Sequence, residues 1–225
     1  MRSLARKTIL GYINLLVLLG AGIFLPAWTL NYWQGWVYIV VFVGCSVLIT
    51  LYLWKNDPKL LERRVSGGPV AERQAAQKVI MMLACAGFIA LVVVPALDHR
   101  LQWSHVPSSI TILGNILVTL GFLIVFVVFR ENSFSSATIE VASDQRVVST
   151  GPYAIVRHPM YAGGLILLIG TPLALGSYTG LFALAAMTPV LIWRLFDEER
   201  FLSGSLPGYT DYCAKVRWRL IPGVF

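Results

Sequence analysis

The sequence predicts an all-α, polytopic integral membrane protein of about six transmembrane helices, with a cofactor pocket at its cytoplasmic, C-terminal end. Three observations carry that prediction. Of the 225 residues, 57% are hydrophobic and only 13% are charged, with a mean hydropathy of +0.72; soluble domains average about 45–50% apolar and about 25% charged. Asp, Glu, Lys and Arg are missing between Lys7 and Lys55, Lys78 and Asp98, Arg100 and Arg130, and Arg157 and Arg194, in gaps of 47, 19, 29 and 36 residues. On a six-span threading, 17 of the 18 Lys and Arg fall on one side and Arg100 alone on the other. Basic residues are retained on the cytoplasmic side, so both termini are expected there, in a plasma membrane or a bacterial inner membrane.

A helical span takes roughly 17–25 residues, so the first and last gaps hold two spans each and the middle gaps one each. Turn chemistry interrupts the long gaps at "PAWTLNYWQG" and "LGSYTG". Spans are therefore expected near 8–27, 35–54, 79–97, 107–129, 160–176 and 179–195. The first does not read as a cleaved signal, because no small-residue cleavage site separates it from the second. Trp28, Tyr32, Trp33, Trp36 and Trp103 fall near the outer interface, as an anchoring belt should. Residues 55–78, broken by "GGP", read as a basic loop resting on lipid headgroups. Topology and anionic headgroups account for the net charge of +7, so membrane lipids are expected partners and nucleic acid is not. Cys45, Cys85 and Cys213 suggest neither a disulfide nor a metal site and read as small hydrophobes.

The chain is expected to form one membrane-embedded domain, with 1–129 a four-span scaffold and 130–225 the functional core. Residues 130–159 are mixed β-branched and polar, without an obvious helix of their own, and a long structured loop is more often functional than not. The last helix should continue to about Leu202 and break at Gly204 and Pro207. Arg194 and Glu198 lie four residues apart on one helical face, and the simplest reading of them is an ordinary ion pair. Asp197, Glu198 and Glu199 are three consecutive carboxylates beside anionic headgroups, a clustering that asks for a cation held nearby. His158 precedes a proline and is held extended. Pro159 suits the first turn of the following helix. Free N–H groups at that helix N-terminus form a site for a carboxylate. Singly, His158 reads as an interfacial histidine and Tyr161 as an aromatic anchor.

In combination they form a pattern. "TGPY" (Thr150–Tyr153), "RHPMY" (Arg157–Tyr161) and "R-x-x-x-E-E-x-x-L" (Arg194–Leu202), with "LPGYTDY" and "RLIP" behind them, resemble the isoprenylcysteine carboxyl methyltransferase family and its phospholipid methyltransferase relatives. The likeness covers roughly residues 130–225. It implies S-adenosyl-L-methionine (SAM) as methyl donor, in a cytoplasmic pocket rather than a Rossmann domain, and no G-x-G-x-x-G follows a strand here. It further implies that Gln145, Arg146, Val147, Val148, Tyr153, His158, Pro159, Met160 and Tyr161 line the cofactor pocket. Glu198 would face the cofactor's positive end and Arg194 the acceptor, making these two the catalytic pair. The acceptor implied is a lipophilic small molecule or lipid-modified group, most simply a prenylcysteine-type carboxylate. One departure is Leu206-Pro207, where the family often carries Phe-Gly, which bears on the shape of the tail cap.

Methyl transfer is an in-line displacement that needs alignment and exclusion of water more than acid–base machinery. A carboxylate acceptor is already ionised at neutral pH. An amine acceptor must lose a proton, for which Glu198 or Glu199 would be the base. Gly163, Gly164, Gly170 and Pro172 in the fifth span suggest lateral access for a lipid-like molecule. Two other classes stand beside this one. A sterol-type reductase shares a similar C-terminal hairpin but would use a nicotinamide cofactor. A transporter or scaffold with an interfacial anion site predicts ionisable residues inside the spans, and the first four contain none.

Overall fold

The computed structural model describes residues 2–68, 72, 74–139, 141, 142 and 144–225, so Pro69 of the "GGP" break lies outside the described residues. The helices run α1 Arg2–Ala27, α2 Trp33–Asn56, α3 Pro58–Val65, α4 Ala75–Leu101, α5 Ser108–Glu131, α6 Pro159–Ala174, α7 Gly180–Ser205 and α8 Tyr209–Lys215, with one 3₁₀ turn at Gly151–Ala154. Among the described residues there is no strand. Five helices (α1, α2, α4, α5 and α7) are long and apolar enough to cross a membrane. The chain is a multi-pass membrane protein.

The remaining expected span is shorter than the others. α6 has 16 residues, about 24 Å at 1.5 Å per residue, against a hydrocarbon core of about 30 Å. It is held against α5 at backbone distance. A Cβ on Gly114 would lie 2.2 Å from Ala174 N, one on Gly121 2.6 Å from Gly163 O, and one on Gly170 2.7 Å from Gly114 O. Small residues let helix backbones approach closely in lipid, where hydrophobic driving force between helices is absent. Gly163 and Gly170 are thus packing residues, and of the glycines expected to open a lateral path only Gly164 has free space around it.

The outer turns are tied together by polar contacts. Asp98, 1% exposed, accepts from Ser104 N at 2.8 Å, Ser104 Oγ at 2.5 Å, Ser177 Oγ at 2.5 Å and Thr179 Oγ1 at 2.7 Å. The α6–α7 turn is fastened to α4 by that carboxylate. Tyr32 is fully buried, stacks on His99 with ring centroids 4.0 Å apart, and donates to Leu175 O. It is therefore not part of the aromatic belt, whereas Trp28, Trp33, Trp36 and Trp103 are exposed as a belt requires.

At the other end, α7 does not stop near Leu202. It passes through Gly204, around which there is open space, and ends at Ser205 ahead of Leu206-Pro207. Two short helices occupy segments that hydropathy reads as loop. α3 starts where Asp57 caps it, its side chain accepting from Leu60 N at 3.0 Å with Pro58 in the first turn. Leu60 and Leu61 then bury themselves against Leu53 and Phe129. The basic loop is in part a docked helix.

Asp98→Asn keeps the size of the side chain but sets an amide N–H₂ among four donors. Charge-assisted hydrogen bonds are worth about 1.5–3 kcal/mol each, so the variant is expected to melt several degrees below wild type in detergent, measured by scanning fluorimetry. A wild-type midpoint would show that the cluster is not a fastening.

Candidate active site

A cavity of about 340 Å³ opens at the N-terminal end of α6 and beside the C-terminal half of α7. Its walls come from six pieces of chain. The first turn of α6 supplies Pro159, Met160 and Tyr161. α7 supplies Leu191, Arg194, Glu198 and Leu202, positions three or four apart and hence on one face. Residues from 132–139 and 145–148 cover them, α8 closes the side with Tyr209 and Tyr212, and Arg64 of α3 and Met81 of α4 reach in from the first half. Gln145, Arg146, Val147, Val148, Tyr153, His158, Pro159, Met160, Tyr161, Arg194 and Glu198 all line this one space.

The local geometry follows from chain chemistry. His158 takes φ −123°, ψ 62° as the N-cap, Pro159 occupies the first turn, and the Ala162 N–H returns to His158 O at 3.1 Å. The N–H groups of Met160 and Tyr161 precede the first closed turn and have no intrahelical acceptor. The tail completes the site from outside. Arg157 N donates to Trp218 O at 2.9 Å and His158 N to Arg219 O at 3.0 Å. Leu206, Tyr209, Tyr212 and Val216 form an apolar cluster, and Tyr212 Oη donates to Tyr153 O at 2.8 Å. Gly208 turns the chain into α8 at φ +83°, which a side chain would strain. Leu206-Pro207 thus starts a packed cap. Burial pushes the Tyr153 phenol above its ordinary value, so it remains a neutral donor and acceptor, bonded to Asn132 Nδ2 at 2.9 Å.

The three consecutive carboxylates separate into three roles. Asp197 accepts from Gln77 Nε2. Glu199 is gripped by Arg157 Nη1 at 3.0 Å, His158 Nε2 at 3.2 Å and Arg219 Nε at 2.9 Å. It does not line the cavity. The cation that the acidic run asks for is, at Glu199, supplied by the protein. Glu198 is different. Its Oε2 accepts from Tyr161 Oη at 2.5 Å, and it is the only carboxylate lining the cavity among the described residues. No described cation lies within ion-pair distance of it.

Arg194 does not make the i, i+4 pair with Glu198. Its guanidinium is held by the buried Glu72 carboxylate at 2.9 Å, Gln77 Oε1 at 2.9 Å and Ala137 O at 3.2 Å. Arg157, Arg64, Glu72, Gln77 and Arg219 are parts of this site that motif reading left in other roles. The Asp57-Pro58 helix start, followed by Leu60, Leu61 and Arg64, is the signal from which the Arg64 position was available.

The region from α5 to the end of α7 is also where the comparison with known proteins falls. Residues 109–206 match the phospholipid methyltransferase family. The resemblance drawn from the motifs is borne out. The matched segment takes in the cavity residues of 132–139 and 145–148, α6 and α7, while Arg64, Glu72 and Gln77 precede it and Tyr209 and Arg219 follow it. Among curated proteins, the chain is similar to a protein-S-isoprenylcysteine O-methyltransferase B of Arabidopsis thaliana, 30% identical over 121 residues (53% of this chain, 57% of that protein). It is 26% identical over 130 residues to the cobalt-zinc-cadmium resistance protein CzcN of Cupriavidus metallidurans (56% and 58%). It is 31% identical over 91 residues to a mouse delta(14)-sterol reductase (39% and 22%). The chain therefore spans less than two thirds of the length of each of these relatives.

Glu199→Gln keeps the shape but removes the charge that gathers Arg157, His158 and Arg219. The tail is expected to detach from α6, read as faster amide exchange over residues 206–225. Glu198→Gln, which holds no described cation, should leave that exchange unchanged. Equal protection in both variants would remove Glu199 as the anchor.

Proposed function

We propose that the protein is a SAM-dependent membrane methyltransferase that acts on a lipophilic carboxylate of the prenylcysteine type. The observation that carries this reading is Glu198, a cavity carboxylate with no cation within ion-pair distance among the described residues. SAM has positive charge to offer it. The rest of the wall fits the same molecule. The cavity lies within the about 300–1,000 Å³ range of small-molecule sites. The open N–H groups at the α6 N-terminus suit a carboxylate. Val147, Leu202 and Leu206 form an apolar side, and the buried Tyr209 hydroxyl has no hydrogen-bond partner. The family match and the O-methyltransferase activity named for the Arabidopsis relative support methyl transfer over the alternatives.

SAM supplies a methyl group on a cationic sulfonium, open to in-line displacement. The chain's part is alignment and exclusion of water. Glu198, oriented by Tyr161, holds positive charge in place. His158, 5% exposed and fixed through Glu199, sets the first turn of α6. The 132–148 cover and α8 keep water out. Arg194 is a positioning residue: three hydrogen bonds fix its guanidinium, leaving its Nε–H and one Nη1–H for acceptor oxygens. Methylation would remove the acceptor's charge and weaken that contact, which favours release. Residues 130–225, braced by the preceding helices, form the SAM-binding core of this reading.

The family's phospholipid members support a second reading, N-methylation of a lipid amine. Its base would be Glu198, since Glu199 is committed to Arg157, His158 and Arg219. The likeness to a sterol reductase makes NADPH the control ligand. The 17-to-1 partition of basic residues supports a cytoplasmic site with both termini on the same side. Cysteines placed at the exposed Lys59 and Asp211 should then be labelled from one face and one at Gln102 from the other; labelling of 59 and 211 from opposite faces would reverse it.

The test is a titration of the purified protein with SAM and with NADPH, followed by transfer of labelled methyl to prenyl thioether acids and lipid amines. SAM is expected to bind, and Glu198→Gln to weaken it roughly tenfold to hundredfold, the loss of one charge-assisted contact of about 1.5–3 kcal/mol. A carboxylate acceptor gives a rate flat through neutrality, and an amine acceptor a rate that climbs with pH. Binding of NADPH and not SAM would overturn the reading.

A further inference from the structure

The cavity holds one more charge with no carboxylate within ion-pair distance among the described residues. Arg64, on α3, donates from Nη1 to Ser136 O at 2.9 Å, lies 3.8 Å from Met160 Sδ and sits over the Phe129 ring at 5.1 Å. Among the described residues no carboxylate is within ion-pair distance of it. Burial, and the Arg194 guanidinium beside it, push Arg64 down to about 10, so it stays charged at neutral pH. Arg194, by contrast, is matched by Glu72. An uncompensated cation in a low-dielectric wall is costly unless an anion arrives.

Arg64 also belongs to a second space. A groove of about 310 Å³ lies between the cytoplasmic halves of α1, α2 and α5, and Arg64 lines both it and the first cavity. Its walls are mostly apolar, with Leu15, Ile49, Phe122 and Val125 among them. At its base Tyr12 Oη bonds Ser46 Oγ at 3.0 Å and Thr50 Oγ1 at 2.8 Å. The Thr8 hydroxyl, on the same wall, is buried and has no hydrogen-bond partner. A Cβ added at Gly11, also on this wall, would meet nothing within 4 Å. An apolar trough in the bilayer, ending at an unmatched arginine that opens on the site of transfer, is complementary to one kind of molecule: an apolar chain with an anionic end.

We propose that the groove between α1, α2 and α5 seats the apolar chain of the methyl acceptor, and that Arg64 holds the acceptor's anionic group where groove and active-site cavity meet. This rests on the methyltransferase reading and deepens it by naming the acceptor's charge and its route from the membrane. Arg64 acts with Arg194 from the opposite wall, so the acceptor is selected for negative charge. A neutral amphiphile offers these two guanidiniums no charge.

The experiment uses the full chain in phosphatidylcholine vesicles, with a diazirine-bearing palmitate as photolabel and a prenyl thioether acid as acceptor. The label is expected on peptides of α1, α2 and α5, and the prenyl acid should displace it. Arg64→Gln should raise the KM for the acid roughly tenfold to hundredfold with SAM affinity near wild type, and Arg64→Lys should recover part of the loss. Gly11→Leu, which fills the groove, should block labelling and raise the same KM while leaving SAM affinity alone. Melting curves identify any variant that fails to fold; if Arg64→Gln does, Arg64→Lys and Gly11→Leu decide. Wild-type KM values in the folded variants overturn the proposal. So does displacement of the label by phosphatidylglycerol but not by the prenyl acid, which would make the groove a lipid site. If labelling depends on Arg64 but neither acid nor amine is methylated in wild type, the anion groove stands and the methyltransferase reading fails.

Discussion

The cavity exists because one carboxylate gathers two guanidiniums and an imidazole. Glu199 stands near the C-terminal end of α7, and Arg157, His158 and Arg219 converge on it from the α6 N-terminus and the tail. Arg157 extends the joint by donating to Val216 O at 2.7 Å and Arg217 O at 3.0 Å. Helix, loop and tail are separate in sequence, and without that charge match their polar groups would have to find water at the membrane boundary. With it, the tail folds back as a wall and α8 becomes a lid.

The same rule of charge matching sorts the remaining ionisable groups. Arg194 has Glu72, Asp197 has Gln77, and Glu199 has Arg157, His158 and Arg219. Glu198 and Arg64 are left, one of each sign, on the wall of one space. A ligand that brings positive charge to Glu198 and another that brings negative charge to Arg64 would satisfy both. That is the charge pattern of a sulfonium donor with an acidic acceptor. Residues that hold the site together and residues that meet ligands are thus told apart by whether a partner is already present.

Position in the membrane is set by the short α6. Glycine contacts bind it to α5 at backbone distance, and Asp98 fastens its outer turn to α4. α6 is shorter than the other apolar helices, and it sets its N-terminus, with His158 and Pro159, on the wall of the cavity.

Much of this was readable from the chain. Hydropathy gaps follow directly from bilayer thickness and charge cost, and they located the five long apolar helices and the shorter α6, though not α3 or α8. The Arg-His-Pro turn and the Arg194–Glu198 spacing depend on local backbone chemistry, and both lie on the cavity wall as expected. What the sequence could not decide was partnership. The i, i+4 spacing puts Arg194 within reach of Glu198, yet Glu72, more than a hundred positions away, claims it. Glu199, next to Glu198 and chemically identical, faces away because successive helical positions are rotated by about 100°. Tyr32 and Arg64 read as interfacial residues until the end of α6 meets Tyr32 and the docking of α3 carries Arg64 to the cavity. Pattern along a chain reports what a residue can do locally. Which charge is satisfied and which is left for a ligand depends on distances between segments, and only the tertiary structure sets those.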